Sequence, residues 1–165
     1  MKTVVIVDDH EDNRALLMAT LEPRDYRLVE ASSGEEALKL IGKEEPDLII
    51  ADVLMPRMDG YEFVQQLRQD PRNAQTKVIF YTASYIEEES RRLAKACGVN
   101  HIIVKPTDPD TVLEIVDEAL GRGRNRARLF RLQISSGNIS ILLRTSFPKR
   151  WRNWRRLLTN SSRKS

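Results

Sequence analysis

The chain has one cysteine, Cys97, so no disulfide can close within it. It also lacks any apolar run of the roughly eighteen residues that a membrane-spanning helix needs. Met1-Lys2-Thr3 leads straight into Val4-Val5-Ile6-Val7-Asp8, an apolar stretch too short and too soon acidic for a secretory signal. A reducing cytoplasm is the expected location. The most telling absence is of acid at one end. Residues 121–165 hold 13 Lys and Arg and no Asp or Glu, whereas residues 1–120 hold 14 Lys and Arg against all 24 acids. An acidic polymer and a basic one are joined near Gly121.

The length of 165 residues suits one ordinary domain with a tail, and 41% apolar with 31% charged residues is a globular composition. Short β-branched runs at Thr3–Val7, Leu48–Ala51, Val78–Tyr81 and Ile102–Val104 read as strands buried on both faces. Arg27–Ala31 alternates polar with apolar, as at a sheet edge. Helical periods fall between them at Asn13–Leu21, Ser33–Glu44, Tyr61–Asp70, Glu87–Ala96 and Thr111–Leu120. In the last, Val112, Ile115, Val116, Ala119 and Leu120 make one apolar stripe. Ser33 with Glu36 has the spacing of a capping box, and Gly42 and Gly98 stand where helices are expected to stop. Five strands alternating with five helices predict a doubly wound α/β domain with a five-stranded parallel sheet. Ligands of such sheets bind beyond the carboxyl ends of the strands, where the winding reverses.

Those strand ends are chemically loaded. The first run ends in Asp8-Asp9, the third in Asp52, the fourth in Thr82 and the fifth in Lys105-Pro106. Three carboxylates at one edge repel each other, so unless a cation sits among them at least one should take up a proton, and hard oxygen donors with open positions suit Mg²⁺. A carboxylate can attack phosphorus to give an acyl phosphate if a metal and a lysine offset the charge on the transferring oxygens. A threonine hydroxyl can donate to a phosphoryl oxygen and draw its own loop inward.

Val7-Asp8-Asp9, Asp52-Val-Leu-Met-Pro-Arg-Met-Asp-Gly60, Thr82-Ala-Ser84 and Val104-Lys105-Pro106, in this order, closely resemble the bacterial response-regulator receiver family over residues 1 to about 120. The resemblance implies a flavodoxin-like fold with strand order 2-1-3-4-5, and a non-enzymatic switch that assists its own phosphorylation and dephosphorylation. It implies that Asp52 is the phosphoacceptor. Asp9, Asp52 and the Leu54 carbonyl would bind Mg²⁺ directly and Asp8 through water, Lys105 would contact the phosphoryl group, Thr82 would close over it, and a cis Lys105-Pro106 bond would aim the lysine. Leu54 and Ser84 occupy positions that resemble those tuning phosphoryl lifetime. A histidine kinase or phosphotransfer protein is the implied donor, and the face formed by residues 87–120 the implied surface for a homodimer or partner. One departure affects output. The family often has Tyr or Phe three residues before the lysine, where this chain has Ile102.

Taken singly, Asp8 and Asp9 suit a solvent-facing turn, Lys105 a surface, and Thr82 a strand. Their joint placement favours the site. His10 reads as polar loop, since His101 lies in another unit with no metal spacing between them, and Cys97 as a small buried apolar residue. A haloacid-dehalogenase-type phosphatase would need a second acid where His10 stands, and a flavodoxin would need a hydroxyl-rich and glycine-rich loop after the first strand. The domains are expected at 1–121, the receiver, and 122–165, a basic tail with a short amphipathic helix near 148–158. There Trp151, Trp154 and Leu158 recur among arginines. Three readings of the tail stay open: binding to an anionic membrane, binding to nucleic acid, or a disordered or replaced continuation.

Overall fold

The computed structural model describes residues 1–83, 88–99, 101–122 and 140–141. Five parallel strands, β1 (Lys2–Val7), β2 (Tyr26–Ala31), β3 (Leu48–Ala51), β4 (Lys77–Thr82) and β5 (His101–Val104), alternate with α1 (Glu11–Leu21), α2 (Gly34–Glu44), α3 (Gly60–Gln69), α4 (Glu88–Ala96) and α5 (Pro109–Ala119). The strand order across the sheet is 2-1-3-4-5, as expected. Register pairs Val4 of β1 with Leu28 of β2 and Leu48 of β3, Ile50 of β3 with Ile79 of β4, and Phe80 of β4 with Ile102 of β5. Among the described residues no helix is long and apolar enough to cross a membrane.

The continuous apolar runs are explained by two cores, one on each face. Val5, Val7, Ile49, Ala51, Phe80 and Ile102 pack with Ala37 and Ile41 of α2, Phe63, Val64 and Leu67 of α3, and Ala94 of α4. Val4, Ile6, Leu48, Ile50, Ile79 and Ile103 pack with Leu17 and Leu21 of α1 and Val112, Ile115, Val116 and Ala119 of α5. Alternate residues of one strand therefore serve opposite cores, and both faces of the sheet are covered. Cys97 is half-buried against the first core.

Local chemistry departs from the sequence reading in two places. Gly42 does not end α2. The helix runs on to Glu44, and Glu45 takes the left-handed conformation, with φ 44°. Pro46 follows and disfavours a helical residue before it, so the stop is imposed from beyond Gly42. Ser33 does cap Glu36 N–H at 3.2 Å, but the Glu36 carboxylate reaches the backbone and hydroxyl of Ser32, both at 2.7 Å, rather than Ser33. These bonds, the Ser32 hydroxyl first, hold Glu36 below the usual carboxylate range. Gly98 behaves as expected, with φ 79° just beyond α4.

A sixth strand, β6 (Ser140–Ile141), lies parallel to β5, with Ser140 opposite His101 and Ile141 opposite Ile102. The sequence reading gave this segment no strand. An edge strand carries unpaired N–H and C=O groups, and pairing with β6 satisfies part of the β5 edge. The amphipathic helix expected near 148–158 lies outside the described residues.

At the amino ends of the strands, α5 is tied to β2. The Tyr26 hydroxyl donates to Asp117, Arg24 pairs with Asp117 at 2.9 Å, and the Arg122 guanidinium lies 5.1 Å from the Tyr26 ring centroid. Burial, then the bond to Asp117, push the Tyr26 hydroxyl up to about 12 from an ordinary 10.0. A protonated Tyr26 thus stabilises the fold fully below the unfolded-state value, and this contribution is lost as pH rises from 10.0 through about 12. Urea titrations should find the stability difference between wild type and Tyr26→Phe constant below pH 10 and shifting steadily towards the variant above it. A difference independent of pH to 12 would show that the tyrosine proton is not linked to folding.

Candidate functional site

The carboxyl ends of β1 and β3 are neighbours, and Asp52 N–H donates to the Val7 carbonyl at 2.9 Å, which sets Asp52 beside Asp8. Both are buried, at 1% exposure for Asp8 and 7% for Asp52. Lys105 follows β5, two strands away from β3. Its backbone N–H donates to the Thr82 carbonyl at 2.8 Å, and its ammonium lies 5.0 Å from the Tyr81 ring centroid on the way to the acids. Lys105 Nζ ends 2.8 Å from Asp8 Oδ2 and 3.4 Å from Asp52 Oδ2, with a side chain 6% exposed. The cation demanded by the carboxylates is thus supplied by the chain itself. The Lys105–Pro106 peptide is cis, as expected.

Around this bridge the expected residues fall as follows. Thr82, the last residue of β4, is fully buried. Asp9 is partly exposed, and its Oδ1 lies 3.0 Å from His10 Nδ1. Leu54 N–H donates to Asp52 Oδ1 at 3.3 Å, while the Leu54 side chain is exposed at the rim. Ser84 lies outside the described residues. Burial, then the Asp8 charge, push the Tyr81 hydroxyl above its ordinary range, so Tyr81 stays a neutral wall beneath the lysine.

The loop after Asp52 is held by close packing. Gly60 N–H donates to the Val53 carbonyl at 2.8 Å, and a Cβ at Gly60 would stand 2.7 Å from the Asp52 carbonyl oxygen and 2.9 Å from Val53 Cα. Only glycine lets α3 start this near the acid. Asp59 then caps α3, accepting from Glu62 N–H at 2.8 Å.

Three neighbours were not read as site residues from the sequence. Asn13 Nδ2 donates to both Asp8 oxygens at 3.1 Å, and Arg14 Nη1 donates to the Asp8 carbonyl at 2.8 Å while its Nε reaches Glu30 at 3.3 Å. His10, taken as polar loop, forms with Asp8 and Asp9 a group whose ligand atoms lie within 4.8 Å of one another. The available signal was position, since a helix starting at Glu11 must set its first turn over the preceding strand end. The carboxylate oxygens of Asp8, Asp9 and Asp52 at this edge fit a hard divalent cation such as Mg²⁺.

Lys105→Met should leave two adjacent buried carboxylates without a counter-charge. We expect a loss of about 3–5 kcal/mol in urea unfolding with chelator present, partly recovered on adding Mg²⁺. Equal stability of variant and wild type would show that the bridge does not offset the acids.

The family model of the response regulator receiver domain matches residues 4–117. The alkaline phosphatase synthesis transcriptional regulatory protein PhoP of Bacillus subtilis is 38% identical over 148 residues, covering 86% of this chain and 60% of PhoP. Protein PilH of Pseudomonas aeruginosa is 28% identical over 73% of this chain and 98% of its own length. Among solved structures, the chemotaxis protein CheY4 of Vibrio cholerae superposes with a TM-score of 0.69 at 34% identity, covering 72% of this chain and 98% of CheY4. The chain thus spans nearly all of some relatives and well under two thirds of PhoP. The match of residues 4–117 agrees with the acids, threonine and lysine at the strand ends, and the chain belongs to the response-regulator receiver family of two-component signalling.

Proposed function

We propose that Asp52 accepts a phosphoryl group from a partner histidine kinase or phosphotransfer protein, making residues 1–121 a Mg²⁺-dependent switch. The observation that carries this reading is the Lys105 ammonium held between Asp8 and Asp52. An Asp52 oxygen attacks phosphorus, the bond from phosphorus to the donor's imidazole nitrogen breaks, and the imidazole keeps the electron pair and takes up a proton. Lys105, already 3.4 Å from the acceptor carboxylate, needs only a side-chain rotation to meet the incoming phosphoryl oxygens. It then offsets charge that would otherwise gather against Asp8. Asp9, Asp52 and the Leu54 carbonyl hold Mg²⁺ directly and Asp8 holds it through water, and the ion when bound neutralises further phosphoryl charge. Thr82 donates its hydroxyl to a phosphoryl oxygen, and because its carbonyl accepts from Lys105 N–H, a shift of Thr82 also moves the start of the lysine loop.

Output is carried through the α4, β5 and α5 face, a surface suited to a second copy or a downstream partner. Ile102 is buried in the core against α4, so this switch works by displacement of packed aliphatic side chains rather than by an aromatic ring turning inward. The reading of the domain as a phosphoacceptor, and not an enzyme acting on external substrates, rests on the same site. Residues 122–165 carry 13 Lys and Arg unopposed by acid.

Incubation with Mg²⁺ and a small acyl phosphate, followed by intact mass, should add one phosphoryl group to wild type and none to Asp52→Asn. A wild type that gains no mass, or a variant that gains as much, sinks the assignment.

A further inference from the structure

The Asp8 carboxylate is held by more than its lysine. It accepts from the His10 backbone N–H at 2.8 Å and Lys105 Nζ at 2.8 Å, and the Asn13 amide nitrogen sits 3.1 Å from each of its oxygens. Asn13 is on the first turn of α1, and Arg14 beside it fixes the Asp8 backbone by bonding the carbonyl at 2.8 Å. We propose that Asn13 is a positioning residue that keeps the Asp8 carboxylate aimed at the metal site when Lys105 leaves it. The proposal rests on the phosphoacceptor reading.

The reasoning is chemical. When Lys105 turns towards a phosphoryl group, Asp8 loses its ammonium partner, and a buried carboxylate with two free torsions could swing away from the metal. A neutral amide that grips both oxygens at once restrains that rotation. Unlike a lysine or arginine in the same place, it removes none of the negative charge that a divalent cation needs. The His10 N–H holds one oxygen only, so it fixes distance but not the plane of the carboxylate. Groups that orient the ligands of a metal commonly change its affinity by about 10–100-fold when removed.

The test uses the full chain and Mg²⁺ alone. Calorimetric titration should show Asn13→Leu, which keeps the branching and loses the amide, binding Mg²⁺ about tenfold more weakly than wild type. Asn13→Ala serves as the second variant if leucine does not fold. Urea unfolding with and without saturating Mg²⁺ separates this role from a mere tie between helix and strand. A positioning residue costs more stability when Mg²⁺ is present, because the tighter-binding protein gains more from the ligand. A structural tie costs the same in both. Equal Mg²⁺ affinity in wild type and variants, an equal stability loss with and without Mg²⁺, or a wild type that binds no Mg²⁺ would overturn the proposal. Failure of wild type to gain phosphoryl mass would instead overturn the acceptor reading, and the Mg²⁺ titration would still judge Asn13.

Discussion

Everything at the functional end of this domain depends on one ammonium placed between two buried carboxylates. Asp8 and Asp52 come from adjacent strands and would repel each other across a short gap, with little water to screen them. Lys105 reaches them from the far side of β4, over the Tyr81 ring. The bridge explains why the acids are tolerated at such low exposure. Under the proposed phosphoacceptor role it also stores the means of response, because the same cation can serve either a carboxylate or a phosphoryl group but not both with equal geometry.

The scaffold makes this possible by being apolar on both faces. With two cores filled by alternate strand residues, polar side chains are forced to the strand ends. The reversal of winding between β1 and β3 then opens a crevice there, as open α/β sheets do. Gly60 and the Asp59 cap bring α3 against the backbone of Asp52, so this carboxylate sits on a rigid base.

The first five strands and the acids, threonine and lysine were legible because each is written in one-dimensional patterns: β-branched runs, helical stripes and polar residues placed where runs end, whereas the strand order followed from the resemblance to the receiver family. Features that depend on three-dimensional approach were not legible. Gly42 looked like a stop, but Pro46 and the left-handed Glu45 decide where α2 ends. Glu36 looked like the partner of Ser33, yet its length lets it reach Ser32. Lys105 could be placed at the site, whereas its direct ion pair with Asp8 could not, because the spacing of 97 residues says nothing of which atoms meet. Asn13 was overlooked for the same reason, since a polar residue on a first helical turn is ordinary until the strand end beneath it is seen.

That separation along the chain has a consequence for how the protein is made. A ribosome delivers Asp8 and Asp52 long before Lys105, so a nascent chain ending at β4 carries both acids without their counter-charge. Burying them at that stage is opposed electrostatically, and the functional edge can close only after β5 has emerged. Formation of the Lys105 bridge therefore waits on β5 and the residue that follows it during synthesis.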